Sequence, residues 1–418
     1  MRLAEIIAVG SELLTPFHAD TNSLFLTEEL NQLGVAVIHK SVVPDDRAAL
    51  GEAFAQALER ADLVIATGGL GPTEDDVTRE ALAELLGRRL LRDDRVLHQI
   101  RDRFARLDRP MTPNNERQAL VPEGATVFPN DSGTAPGLWV EARGRAILLL
   151  PGPPGEARRI FAEQARPVIE RRAGNRRMAR RLLRVVGLSE SGLDHRVAET
   201  YKQYEQISTT ILATREGIEI HLTIWSEDAP EAARVLDELS ARLVALLGEA
   251  LVSATGETLD EVVARELSLS GSTVAVAESC TGGIVSARLT SLPGSSLFFR
   301  GGAVSYSNPM KTIWAGVPAE LIEQHGAVSS EVAIAMAEGV RRSAETTLGL
   351  GITGIAGPGG GTPEKPVGTV HIALAGESGA EARPFLFGGD RDRIRHLAAQ
   401  TALDMLRRRL LRGRNERS

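Results

Sequence analysis

A chain of 418 residues, 43% hydrophobic and 25% charged, is longer than one hydrophobic core usually organises, so it is expected to form three domains. No apolar run approaches the roughly 20 residues that span a bilayer, and MRLAEIIAVGSELL breaks at Gly10 and Glu12 without a cleavage pattern, so it reads as a first strand. A single cysteine, Cys280, excludes an internal disulfide and a cysteine metal cluster and suits the cytoplasm, while a net charge of −7 gives no overall attraction for nucleic acid.

Residues 1–173 alternate short apolar runs (AEIIAV, VAVIHKSVV, ADLVIAT, RAILLLPG) with helix-patterned stretches, the clearest at Thr21 to Leu33. This predicts a doubly wound α/β domain with a mostly parallel sheet and a site at the strand C-termini. Three of the runs end in glycine-bearing turns, VGSELL, TGGLGPTEDD and PGPPGE. In the second, a strand reaches Thr67, turns through Gly68, Gly69 and Gly71, and Thr73 to Asp76 are predicted to open a helix. The glycine backbone with Thr67 and Thr73 forms a candidate phosphate cradle, and Asp75 or Asp76 a candidate ligand for a divalent ion bridging phosphates. Acids at a helix N-terminus are also favoured by the dipole, which competes as the explanation for Glu74, Asp75 and Asp76. Glu12, Asp20, Asn22, Asn114 and Asn130 to Gly137 add polar loop groups that short Asx turns explain as well.

Ten arginines between Arg158 and Arg184 read as a solvated helix and its exit, with a nucleic-acid patch as the alternative. Residues 174–254 read as strand, helix, two strands, helix: RLLRVVG, SESGLDHRVAETY, STTILAT, GIEIHLTIW and APEAARVLDELSARLVALLG. That is a small α+β domain without a catalytic cluster. Its first helix opens on a capping Ser189 with no Glu or Gln to complete a capping box. From residue 255 a helix (TLDEVVARELSLSG) and a strand (TVAVAES) resume the α/β alternation, and a helix from Arg391 to Leu411 closes a second α/β domain spanning 255–418. The polar tail RGRNERS is expected to fray.

TVAVAESCTGGIVSARLT passes from a β run through small residues into a helix pattern, placing Ser279, Cys280 and Thr281 beside a helix N-terminus whose N–H groups can stabilise an anion. A serine nucleophile needs a base, and no histidine stands close in sequence. The nearest suitable group is Lys311, predicted between a strand ending at Ser305 and Tyr306 and a following helix. Lysine serves as a base only when burial lowers its pKa. Tyr306 can relay a proton or orient the pair. The residues alone favour a helix cap over a nucleophile at Ser279, and an inert buried thiol over a rival nucleophile at Cys280. A third piece, GLGITGIAGPGGGTPEKPVGTVHIAL, is a strand, a glycine loop and a strand. Thr353, Gly354, Gly357, Gly359 and Gly360 there, with Thr281 and Gly282, are the candidate substrate contacts, a plain surface hairpin being the competing explanation.

AESCTGG, SYSNPMK, GAVSSE, TGIAGPGGG and KPVGTV, in this order and spacing, resemble the C-terminal domain of the competence/damage-inducible protein A family over nearly all of the module. The resemblance implies a nicotinamide-nucleotide amidase that converts nicotinamide mononucleotide (NMN) and water to nicotinate mononucleotide and ammonia without a cofactor. It implies a Ser, Tyr and Lys set on Ser279, Tyr306 and Lys311, and a glycine loop that helps hold the nucleotide. GSELL, DTN, TGGLGPTEDDVT, NDSGTAPG and PGPP resemble the molybdopterin-binding domain family, in the version fused ahead of that C-terminal domain. This second resemblance implies a metal-dependent ADP-ribose pyrophosphatase giving AMP and ribose 5-phosphate, whereas other relatives bind and adenylylate molybdopterin. The whole chain then reads as a bifunctional, homodimeric hydrolase of pyridine-nucleotide salvage. A DNA-associated competence or repair accessory is the alternative.

Overall fold

The computed structural model of the protein describes residues 1–415, so the end of the tail RGRNERS lies outside the described residues. The chain divides into two compact units, Met1–Ala179 with Trp225–Ala233, and Arg180–Ile224 with Arg234 onward. No described helix is long and apolar enough to cross a membrane.

The first unit is built on β1 (Leu3–Val9), β2 (Ala36–Val43), β3 (Leu63–Thr67), a small β4 (Leu90–Arg92) and β5 (Leu120–Pro122) pair, β6 (Thr126–Phe128), β7 (Gly137–Ala142) and β8 (Arg145–Leu150). Six strands form one sheet in the order β2-β1-β3-β8-β7-β6. β2, β1, β3 and β8 run parallel, and β7 and β6 add antiparallel pairs. Central strands of a parallel sheet are covered on both faces, which is why β3 and β8 read as unbroken apolar runs. On one face Ile6, Ile65 and Leu148 pack with Leu26 of helix Asn22–Gln32 and with Phe161; on the other, Ile7 and Val64 pack with Phe54 and Leu82. The β7–β8 hairpin turns through Arg143 and Gly144 at φ 54 and 74, and the arginine in that left-handed position hides the turn from a reading of sequence.

Most of β9 (Arg177–Val185) and β11 (Gly217–Ser226), with β10 (Ser208–Thr214) and β12 (Leu251–Ser253), lies in the second unit, in a sheet of order β10-β11-β9-β12 with helix Glu190–Tyr201 and most of helix Ala229–Leu247. Ser189 caps the first of these helices by accepting from Gly192 N–H at 3.1 Å. The rest of the unit carries β13 (Val274–Glu278), β14 (Phe299–Val304), β15 (Leu348–Gly354), β16 (Thr369–Gly376) and β17 (Gly379–Leu386), in the order β14-β13-β15-β16-β17. β13 is parallel to β14 and β15, and β16 and β17 return antiparallel. Helices Leu259–Ser270 and Arg391–Asn415 cover one face. The last helix thus runs four residues beyond its predicted end, into the tail that was expected to fray.

Helix Ser330–Ser343 covers the other face, and β15 lets it come close. A Cβ added at Gly349 would stand 2.1 Å from Ala337 O, and one at Gly351 2.3 Å from Ala333 O. Those contacts run the helix antiparallel to β15 with almost no side chain between. The N-terminus of the helix therefore lies near the C-terminal ends of β15 and β13, where Ser279 leaves the sheet.

Candidate active site

β13 ends on the fully buried Glu278, and the chain leaves the sheet through Ser279, Cys280 and Thr281. The Glu278 carboxylate accepts from Gly283 N–H (2.9 Å), Val285 N–H (3.2 Å), Ser286 N–H (2.8 Å) and Ser286 Oγ (2.7 Å). A buried carboxylate needs such donors, and in taking them it satisfies the first turn of helix Ile284–Thr290. Two expectations change as a result. Ser279 does not cap this helix, and the helix N-terminus is not open to a substrate anion, because Glu278 already fills it.

Lys311 lies inside helix Asn308–Ala315, one turn past Ser307, and not ahead of it, since Pro309 starts the helix earlier than predicted. The side chain is almost wholly enclosed, with 2% exposure. Its Nζ lies 3.0 Å from Ser279 Oγ, 3.2 Å from Ser305 O and 3.4 Å from Tyr306 O. Burial holds this amine below the ordinary lysine range. A neutral amine has two N–H groups and one lone pair; the two carbonyls take the N–H groups and leave the lone pair facing the Ser279 hydroxyl. A hydroxyl and a buried amine in this arrangement have the geometry that a serine nucleophile and its base require. Burial pushes the neighbouring Cys280 thiol up to about 12, so it stays protonated and is a poor nucleophile.

Tyr306 is 58% exposed, and its hydroxyl has neither Ser279 nor Lys311 as a partner. It accepts from Arg391 at 2.6 Å, while the same guanidinium donates to Gly357 O at 2.6 Å. Thr281 is buried with its hydroxyl unpartnered, and Arg395 donates to the carbonyls of Cys280 (3.2 Å) and Thr281 (2.9 Å), beside Gly282. Thr353 donates to Ala327 O at 2.7 Å and is followed by Gly354 at the end of β15. Gly357 is buried; Gly359 and Gly360 are exposed, and a Cβ at Gly359 would meet nothing within 4 Å. Sequence reasoning missed Glu278, Arg391 and Arg395. Glu278 was readable in principle, as an acid five residues before the glycine that opens a helix. Arg391 stands 85 residues from Tyr306 and carries no local signal.

In the first unit, a cavity of about 580 Å³ is lined by Glu12, Gly68, Gly69, Gly71, Asp75 and Asp76, among others. Thr67 is buried at the end of β3. Arg79, 1% exposed, donates to Leu70 O (3.0 Å) and Gly71 O (3.2 Å), and Thr78 Oγ donates to Gly68 O (3.0 Å), so the glycine turn is held from beneath. The helix begins at Thr78, not at Thr73. Residues 73–76 form a turn closed by Asp76, which accepts from Thr73 N–H at 2.9 Å and from the Thr73 hydroxyl, so the helix dipole does not account for these acids. Among the described residues no three His, Cys, Asp or Glu side chains gather to hold a metal ion. Asp75 and Asp76 therefore fit only an ion that takes one or two protein carboxylates and completes its shell from phosphate oxygens and water.

Residues 5–171 match the family described as a probable molybdopterin binding domain, 180–252 the damage-inducible protein CinA KH domain, and 256–410 the CinA C-terminal domain. A CinA-like protein of Acidobacterium capsulatum is 49% identical over 413 residues, 98% of this chain and all of that protein. A putative competence-damage inducible protein of Acetivibrio thermocellus is 44% identical over 98% of this chain and 99% of its own length. The crystal structure of a CinA protein with unknown function from Thermoplasma acidophilum is 34% identical and covers 40% of this chain and 98% of its own, with a TM-score of 0.38. With relatives matched from end to end at this identity, the chain belongs to the CinA family, a molybdopterin-binding-like domain followed by a small KH-like domain and a CinA C-terminal domain.

Proposed function

We propose that the CinA C-terminal domain is an amidase that hydrolyses NMN to nicotinate mononucleotide and ammonia. The observation that carries this reading is the buried Lys311 amine, 3.0 Å from Ser279 Oγ with two backbone carbonyls for its N–H groups. Ser279 Oγ attacks the carboxamide carbon as Lys311 takes the hydroxyl proton. Collapse of the tetrahedral adduct breaks the C–N bond, and the leaving nitrogen takes that proton from Lys311 and departs as ammonia. Water then adds to the acyl ester, giving a proton to Lys311, and the proton returns to Ser279 Oγ as the product acid is released. Arg391 and the loop it ties through Gly357 flank the substrate, and no cofactor enters. The reading is tested by measuring ammonia release from NMN, nicotinamide riboside and free nicotinamide. NMN should be the best substrate, and release from none of the three would sink the assignment.

For the first unit we propose hydrolysis of the ADP-ribose diphosphate to AMP and ribose 5-phosphate. A divalent ion arriving with the substrate and held by Asp75 or Asp76 would neutralise charge on the reacting phosphates. Molybdopterin binding is the rival, favoured by the description of the matched domain. Competition between molybdopterin and ADP-ribose for the cavity decides between them. We place the protein in the cytoplasm as a homodimer.

A further inference from the structure

We propose that His371, with Ser330 and Lys365, holds the 5′-phosphate of the nucleotide whose carboxamide Ser279 attacks; the proposal deepens the amidase reading and rests on it. Glu278 pairs with Ile352 of β15, and Ser279 N–H donates to Ile352 O, so Thr353 lies beside the nucleophile. Thr353 in turn pairs with His371 of β16. Strand alternation puts these side chains on one face, the face where Ala275 and Ala277 of β13 and Ala373 and Ala375 of β16 pack against helix Ser330–Ser343. Two strand spacings separate the Ser279 and His371 backbones, roughly 10 Å. A pyridine ring, a ribose and its phosphate ester span a comparable length.

The far end of this row is built for an anion. Ser330 Oγ lies 2.9 Å from His371 Nδ1, and Nε2 has no partner among the described residues. When Ser330 donates to Nδ1, Nε2 carries the proton and becomes a free donor. The Lys365 ammonium spends two N–H groups on Val328 O (2.7 Å) and His325 O (3.2 Å), which pins the base of the glycine loop over this site and leaves a third. The charged groups facing the ring are Lys365 and Glu331. Burial and the Lys365 charge hold the imidazole below its ordinary value, against the smaller opposing pull of Glu331. The Glu331 carboxylate, which would oppose an anion, lies 3.8 Å from His325 Nδ1 and is held below the usual carboxylate range by its own backbone N–H.

Two measurements test this. In the wild-type protein the His371 ring is titrated by NMR, alone, with inorganic phosphate, and with nicotinate mononucleotide. Both anions should raise its pKa, because a phosphate dianion favours the imidazolium, and an unmoved His371 overturns the proposal. Second, His371→Gln, Ser330→Ala and Lys365→Met are assayed on NMN and on nicotinamide riboside. The ratio of kcat/KM for mononucleotide over riboside should fall about tenfold or more in His371→Gln, mostly through KM, and in the same direction in the others. Equal losses on both substrates would mean a structural role and overturn the proposal. If the wild-type protein releases no ammonia from NMN, the amidase reading fails on its own, while the phosphate titration still decides whether the anion site exists.

Discussion

An unassisted serine hydroxyl does not attack amides at neutral pH, and in the proposed amidase the group that activates Ser279 is one buried neighbour, Lys311. Ser279→Ala and Lys311→Ala should each lower NMN turnover on the order of a thousandfold or more, and the double variant little further, since the two act as a unit. Cys280→Ala should keep most activity; a dead Cys280→Ala with an active Ser279→Ala would transfer the mechanism to the thiol. The pH dependence follows from the same geometry. The Lys311 value is lowered by burial, so the working neutral amine persists at pH values where a solvated lysine is charged. Turnover should fall as pH drops through that lowered value and hold above it. An acid limb at the ordinary lysine value would show that Lys311 is not the base. Ser279 and Lys311 were legible because they lie in recognisable local strings. Tyr306 was legible as a position but not as a contact, because its partner Arg391 comes from the far end of the domain.

At the level of elements, the site depends on how closely helix Ser330–Ser343 lies on β15. Gly351→Val should cost about 2 kcal/mol or more, as overpacking against Ala333 O, read as a lower denaturant midpoint. Gly359→Val, in open space, should stay within about 0.5 kcal/mol, so any rise in its KM for NMN reports contact between the loop and the nucleotide. Equal destabilisation by the two would remove the close-packing argument. In sequence Gly351 reads as a strand residue in LGLGITG and Gly359 as a loop residue in GPGGG, but neither string shows which one is tightly packed. The packing difference comes from the Ala333 carbonyl of the helix that precedes β15.

For the whole molecule, the two proposed chemistries sit in different compact units and should fail separately. EDTA or Asp76→Ala should abolish ADP-ribose cleavage and leave NMN deamidation intact; full cleavage in EDTA would remove the metal. The Arg158 to Arg184 cluster gives little support to a nucleic-acid partner. Arg159 pairs with Glu163, Arg166 with Glu29, Arg172 with Glu141, Arg181 with Asp237 and Arg184 with Glu219. The KH-like segment also lacks the Gly-x-x-Gly that lets KH modules clamp nucleotides. Duplex DNA should therefore bind weakly and without the steep salt dependence of a phosphate-contacting protein.

The sequence by itself determined the α/β class, the order of the modules, the strand-to-helix turn at Ser279 and the glycine turn at Gly68 to Gly71, because each is written in local periodicity and in residues whose backbone preferences act over a few positions. The tertiary structure alone decided that Lys311 is buried against Ser279, that Glu278 fills the helix end whose N–H groups the sequence offers to an anion, and that His371 lines up two strands away. Those facts depend on strand register and on desolvation, and both are set by segments tens of residues apart that sequence spacing does not bring together.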